Sequence, residues 1–358
     1  MSEVAFDSDL YLEEQYGRIQ EKMAVRPDSP TYIEFGGKPG DDHHAARVLP
    51  GYRPDVKTEL LKSLMPEATI AMVVNARDVL LPPHGRYDQG RIRGDSGLFY
   101  SAETLRLVDW LDQKGLKPDA VVLSIAPRTM SEHDAEIVGY LEEGVEERGI
   151  KFARQYCIDN YPSPEIIQDP VKSFGLNEPI VEADKNLIVF SPGGGSGKFG
   201  LILSELYNAL AREIEPNFIK FETFPVFNLP ARHPLNLAFE AATADLANSV
   251  SQITDSTGKT LATYDKDIEN FALLKELFRQ FGKDPNHPIV NMTQPTDMGV
   301  NVIEKGIKDM GLVISASKSE ILRRYRRYRK EVNKGIEKQI TVQKVKGLWL
   351  EAKAMKEV

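Results

Sequence analysis

A chain of 358 residues that is 41% apolar and 27% charged has the balance of a globular protein, with length for two ordinary domains or one large one. Its net charge of −8 argues against duplex nucleic acid as the main partner, and the lack of any apolar run near 18 residues argues against a membrane span. The single cysteine, Cys157, excludes an intrachain disulfide and a cysteine zinc site; with an acidic N-terminus that lacks a signal-peptide pattern, the expected setting is a reducing cytoplasm.

In chain order, short apolar runs alternate with amphipathic ones. The spacing predicts a strand at Thr31–Phe35, a helix at Val56–Leu64, a strand at Thr69–Val74 and a helix at Ala102–Lys114. A strand at Ala120–Ile125, a helix at Glu132–Arg148 and a strand at Lys151–Cys157 follow, the last with Cys157 expected as a buried, inert thiol. Beyond a turn-rich stretch, Asp159–Lys185, come strand Leu187–Ser191, helix Phe199–Glu213, strand Phe218–Phe221 and helices Leu235–Leu246, Asp267–Phe281 and Asn301–Asp309. A last strand is read at Leu312–Ser315. Ser101 and Ser131 are read as N-caps, and Gly149 as a helix stop.

This rhythm predicts an α/β three-layer sandwich with a mostly parallel sheet covered on both faces. The boundaries expected are a Rossmann-like half over 1–180, a phosphate-loop-like half over 181–318 and a basic helical tail over 319–358. The tail holds 12 Lys or Arg against five Asp or Glu, so the body is the acidic part. It reads as one long helix with little apolar face: solvated, packed on an acidic neighbouring subunit in a homo-oligomer, binding an acidic partner or RNA, or sending arginines into the phosphate site. The polar segment Pro82–Gly97 is either a lid or a plain surface connection.

The segment NLIVFSPGGGSGKFGLILSEL carries the strongest chemical signal. An apolar strand runs into Pro192-Gly193-Gly194-Gly195-Ser196-Gly197-Lys198, and a helix follows. Glycines let backbone N–H groups approach an anion, the helix N-terminus adds partial positive charge and Lys198 adds a full one. The run departs from the Walker A pattern at two places: Pro192 stands where the first glycine belongs, and Phe199 stands where Ser or Thr would ligate Mg²⁺. The residues from Gly193 to Lys198 are therefore the candidate nucleotide or phosphate ligands.

Three polar clusters supply further candidates. After Phe221 come Glu222, Asn228, Arg232, His233 and Asn236. Glu222 is the leading candidate for general base or metal ligand, His233 for acid or base, and the others for substrate contact. The segment EFGGKPGDDHHAARVLPG offers Lys38, Asp42, His43 and Arg47 as substrate contacts. In QPTDMGVN, Asp297 either caps a helix or serves as a catalytic or metal-binding carboxylate.

These clusters resemble the bacterial domain of unknown function 1846 family, also filed as uncharacterised protein family 0371. The matching motifs are GGK-x-x-DDHHAARVLPG from Gly36, PGGGSGK from Pro192, KFETFP-x-x-NLP-x-x-HP-x-NLA-x-EAATADL from Lys220, PTDMGVN from Pro295 and EILRRY from Glu320. The resemblance implies an α/β fold, a phosphate-loop-like turn and a cytoplasmic location, but no reaction. It also implies a proline at position 194 in most relatives, where Gly194 stands here, and a further C-terminal α/β domain beyond the point where this sequence stops. The order of glycine loop, acidic strand end and His-Pro segment looks like small-molecule kinases of the uridine-kinase type, by analogy only.

Three functions compete. The first is an ATP- or other nucleoside-triphosphate-dependent phosphotransferase of small molecules, using Mg²⁺. The second is a non-kinase transferase or hydrolase that grips a phosphorylated metabolite or nucleotide. The third is a nucleotide-binding regulatory or assembly protein without turnover.

Overall fold

The computed structural model describes residues 4–40, 42–64, 68–80, 92–93, 96–221, 224–246, 249–254, 257–335 and 337–355. Among them, seven strands form one all-parallel sheet: β1 (Thr31–Phe35), β2 (Thr69–Asn75), β3 (Ala120–Ala126), β4 (Lys151–Tyr156), β5 (Leu187–Phe190), β6 (Asn217–Phe221) and, by the numbering below, β9 (Gly299–Val300). Val250–Thr254 and Thr260–Tyr264 form a separate antiparallel pair, β7 and β8. The helices are α1 (Ser8–Met23), α2 (His43–Val48), α3 (Val56–Leu64), α4 (Ala76–Leu80), α5 (Tyr100–Gln113), α6 (Glu132–Glu146), α7 (Lys198–Leu210), α8 (Pro234–Ala242), α9 (Asp265–Phe281), α10 (Pro288–Asn291), α11 (Met310–Asn333) and α12 (Gln339–Ala354).

The strand order is β4-β3-β2-β5-β1-β6-β9. The chain steps outward from β1 to β4, returns to insert β5 between β2 and β1, then crosses β1 to lay down β6. Strands from both sides of residue 180 therefore interleave in one sheet, and that boundary falls in a connection rather than between two sheets.

Alternation along the strands builds a layer on each face. Ile33, Phe35, Ile188, Phe190, Ile219 and Phe221 join α3, α5, α6, α8 and α11 in one core. Tyr32, Leu187, Val189 and Phe218 join α7 and α9 in the other. The three central strands β5, β1 and β6 are buried along their whole length, which explains their unbroken apolar runs.

Several expectations are corrected. Leu312–Ser315 is not a strand but part of α11, and Asn301–Asp309 holds only a 3-10 turn at Ile303–Gly306. A β-branched run is ambiguous by itself; here it continues into the helical pattern that buries Val313, Ser317, Ile321 and Tyr328. Helix α5 starts at Tyr100 with Phe99 in the cap position, so Ser101 lies inside it, whereas Ser131 does accept the amide of Asp134 as a cap. Cys157 is exposed, because β4 is the edge strand and the chain leaves the sheet there. Helix α1 was absent from the predicted elements because its buried stripe, Tyr11, Gln15 and Ile19, contains a polar residue; Gln15 Nε2 donates to Val300 O at 3.1 Å.

The basic tail is two helices, broken at Gly335, whose φ of 71° suits glycine. It is docked rather than solvated. Glu320 of α11 has a side chain 1% exposed and accepts from Arg47 of α2 at 3.0 Å, from Arg324 at 2.9 Å and from Arg323 at 2.5 Å. His44 Nδ1 lies 3.0 Å from the same carboxylate. Burial raises the Glu320 carboxyl, but the arginine hydrogen bonds and charges outweigh it and hold the group well below the usual carboxylate range. Glu320→Ala would leave the buried Arg324 guanidinium and the His44 ring without their carboxylate, while Arg47 and Arg323, over a third exposed, can turn to solvent. We expect it to cost about 3–5 kcal/mol in denaturant unfolding; a loss under 1 kcal/mol would show that α11 is held by its apolar residues alone.

Candidate functional site

The seven-residue turn from Pro192 to Lys198 sits at the C-terminal end of β5. Five of its carbonyls are held by the protein. Ser191 Oγ donates to Gly193 O at 2.6 Å, Asn75 Nδ2 at the end of β2 donates to Gly195 O at 2.8 Å, and Ser124 Oγ in β3 donates to Ser196 O. Arg93 donates to Pro192 O, and Gly197 O accepts the amide of Leu201 as the first bond of α7. The amides of Gly193, Gly194, Gly195, Ser196 and Gly197, by contrast, meet no acceptor among the described residues. Ser196 Oγ is also buried without a partner there. Carbonyls tied back and amides left over is the arrangement of an anion-binding nest at a helix N-terminus.

Two glycines are required by geometry. Gly197 has φ 85°, and a Cβ on it would come 2.7 Å from Ser124 Oγ. Gly195 has φ 71° and packs on Leu246. Gly194 touches Leu246 as well, its Cβ position lying 2.9 Å from the Leu246 Cδ1 atom.

Lys198, 8% exposed, runs back under the turn: its Nζ donates to Ser191 Oγ at 3.2 Å and lies 4.0 Å from Glu34 Oε1. Glu34 belongs to β1, so the two charges meet between β5 and β1, where the direction of chain travel across the sheet reverses. Open α/β sheets bind ligands at such a point. Glu34 Oε2 is buried with no hydrogen-bond partner among the described residues. On the same face, Lys220 of β6 pairs with Asp267 of α9, both at least 92% buried, since they are 8% and 5% exposed. The Tyr161 hydroxyl donates to Asn270 Oδ1 at 2.7 Å; burial first, then the charge of Glu34, holds it far above the ordinary tyrosine range, so it remains a donor. Phe199 is buried edge-on against Phe218, 5.5 Å between ring centres, so the position that carries a Mg²⁺ ligand in Walker A loops belongs here to the core.

Glu34 and Lys220 were not among the sequence candidates. The signal was present: each is a lone charge in an otherwise apolar strand, TYIEF and NFIKF, that must be buried on both faces.

The candidates named from sequence divide in two. Lys38 donates to the fully buried Glu103 at 3.0 Å, and Arg93, which holds Pro192 O, sits 3.9 Å from the same carboxylate. Asp42 accepts from Lys57 Nζ at 2.6 Å and caps α2, while Lys57 also reaches Gly36 O at 3.3 Å. The remainder are elsewhere. His43 is exposed on α2, and Arg47 is committed to Glu320. Arg232 pairs with Glu351 and Glu240, and Asn236 is fully buried with its amide on Val226 and Pro230. Asn228 bonds Glu304 and Lys259. Asp297 folds onto its own turn, accepting from Thr293 N at 2.7 Å and Gln294 N at 3.1 Å. It precedes β9, whose distance from β5 is three strand spacings, about 14 Å. Glu222 lies outside the described residues.

The family model described as "Domain of unknown function DUF1846, N-terminal" matches residues 4–353. The chain belongs to that family. Among its relatives, the "UPF0371 protein" of Streptococcus equi subsp. zooepidemicus is 38% identical over 329 residues, which is 91% of this chain and 62% of that protein. The "UPF0371 protein cu0538" of Corynebacterium urealyticum is 37% identical over 328 residues, 90% of this chain and 62% of that protein. The chain thus spans less than two thirds of the length of these family members.

His233 has a different occupation from the one expected: it is the N-cap of α8, its Nδ1 accepting the amide of Leu235 at 3.2 Å ahead of Pro234. His287, ahead of Pro288, repeats the device on α10 with Ile289 N at 3.2 Å. Desolvation pushes both imidazoles down to about 4, so both are neutral acceptors in the fold. An unfolded histidine, near 6.5, takes up a proton that the folded one refuses, so stability is complete above that value and falls as pH drops toward 4. The double variant His233→Asn, His287→Asn keeps both caps without titrating. Its unfolding over pH 4–7 is expected to show a flatter slope, by about one proton for each histidine; an unchanged slope would mean the caps do not govern it.

Proposed function

We propose that the chain is an enzyme that grips the phosphate of a phosphorylated metabolite or nucleotide in the turn from Gly193 to Lys198 and carries out a transfer or hydrolysis on it. The observation that supports this reading best is the division of the turn's polar groups: four of its carbonyls are satisfied by Ser191, Asn75, Ser124 and Arg93, while a run of amides faces no protein acceptor among the described residues. An anion is the natural complement, and the N-terminus of α7 and the ammonium of Lys198 reinforce it. The cationic groups that touch the turn, Lys198 and Arg93, can offset phosphate charge without a hydroxyl-held Mg²⁺.

A second reading, an ATP-dependent phosphotransferase with Mg²⁺, is favoured by the strand–turn–helix order with lysine at the first helical residue, at the switch point of the sheet. In that case the metal must be held by groups other than residue 199. Among the described residues no helix is long and apolar enough to cross a membrane, and a cytoplasmic setting belongs to the proposal.

Thermal unfolding with inorganic phosphate, sugar phosphates and ATP, each with and without Mg²⁺, separates the readings. A response to phosphate esters that is indifferent to Mg²⁺ supports the first; a triphosphate response that needs Mg²⁺ supports the second. A ligand at about 100 times its Kd adds about 2.7 kcal/mol of stability. Lys198→Ala is expected to remove that added stability while the protein still folds; full retention would place the anion elsewhere.

A further inference from the structure

Resting on the phosphate reading above, we infer that the buried carboxylate of Glu34 is a second recognition point in the same site, and that the ligand is a phosphate ester bearing a free hydroxyl: a sugar phosphate, polyol phosphate or nucleotide.

The argument starts from an imbalance. Glu34 is 8% exposed and sits at the C-terminal end of a central strand buried on both faces. Placing a carboxylate there costs several kcal/mol unless its oxygens are fully engaged. Only one of them faces a cation, and that ion pair is loose, at 4.0 Å to Lys198 Nζ. The other oxygen, Oε2, has no hydrogen-bond partner among the described residues. A buried carboxylate oxygen lacking a donor is a rare defect in a pure packing role. It is the expected state of a group whose donor arrives with a ligand.

Position identifies the ligand chemistry. The Lys198 ammonium is shared between Ser191, which anchors the glycine turn, and Glu34. A phosphate on the turn and a group on Glu34 are therefore one lysine head apart, a span that fits a phosphate and a hydroxyl on the same small molecule. The carboxylate can only accept, so the ligand must donate there. Lys220, paired to Asp267, and Tyr161, bonded to Asn270, lie on the same sheet face and leave the surroundings polar, as suits a hydroxylated carbon skeleton. A site built to bond a hydroxyl discriminates strongly against an analogue lacking it, because its own buried group is then left unpaired.

The test uses calorimetric titration of the wild-type protein and Glu34→Gln at neutral pH. The probes are inorganic phosphate, n-propyl phosphate, glycerol 3-phosphate, ribose 5-phosphate and AMP; the last two separate a bare sugar phosphate from a nucleotide as the source of the hydroxyl. On the wild type, the best hydroxylated ester is expected to bind about tenfold to a hundredfold tighter than propyl phosphate, the worth of a hydrogen bond to a charged group. In Glu34→Gln that advantage shrinks by about tenfold, while inorganic and propyl phosphate bind as well as before or better, since a negative charge beside Lys198 is gone. A merely structural role for Glu34 would weaken all five together and so overturns the proposal. Equal wild-type affinity for propyl phosphate and every hydroxylated ester overturns it too, yet leaves the phosphate reading standing; this arm needs no variant to fold. If no phosphate binds the wild type at all, both fall.

Discussion

The structure turns on a topological constraint: a returning strand must be accommodated between two that are already parallel neighbours in sequence. Inserting β5 between β2 and β1 brings the ends of three strands against one turn. Asn75 from β2, Ser124 from β3 and Ser191 just after β5 each satisfy a carbonyl of that turn, and Glu34 from β1 stands beside its lysine. None of these residues is near another in sequence. The turn is consequently shaped by the sheet beneath it rather than by its own composition, and the glycines serve chiefly to permit the shape.

This explains which parts could be read from sequence. The central strands, the glycine turn and most helices follow from local pattern, because an all-parallel sheet demands apolar strands and amphipathic covers. Where a buried element is polar on its hidden face, pattern fails: α1 buries Gln15 and went unseen, while the start of α11 was read as a strand because its short apolar run fits either element. The site was legible to the same degree. Lys198 and the glycines announce themselves in one contiguous run. Glu34 and Lys220 do not, since their meaning depends on which strands become neighbours. Conversely, His233, Arg232, Asn236 and Asp297 drew attention as polar residues in a motif-rich stretch, and the fold employs them as caps, staples and surface ion pairs.

The charge pattern has a related lesson. The excess of Lys and Arg near the C-terminus suggested a surface for an external acid. Three of its arginines are answered within the same helix, Arg323 and Arg324 by Glu320 and Arg327 by Glu331, while Glu320 and Glu351 also hold Arg47 and Arg232 of the body. Buried ion clusters of this sort add little net stability over apolar packing, but they fix which helix docks where. Here α2, which follows β1, is tied to α11 by a single carboxylate.

Gly194 and Gly195 both rest on Leu246, and the neighbouring Asp245 accepts from the Tyr328 hydroxyl of α11 at 3.2 Å. A larger residue at position 194 would press its first side-chain atom into Leu246 and push that leucine off its seat. The leucine atom it meets is the free end of a flexible side chain, so the leucine can turn aside while Asp245 and its tyrosine contact stay in place. Position 194 can therefore take a side chain at the cost of repacking Leu246, whereas Gly195 and Gly197, both at positive φ, are held to glycine by the backbone itself.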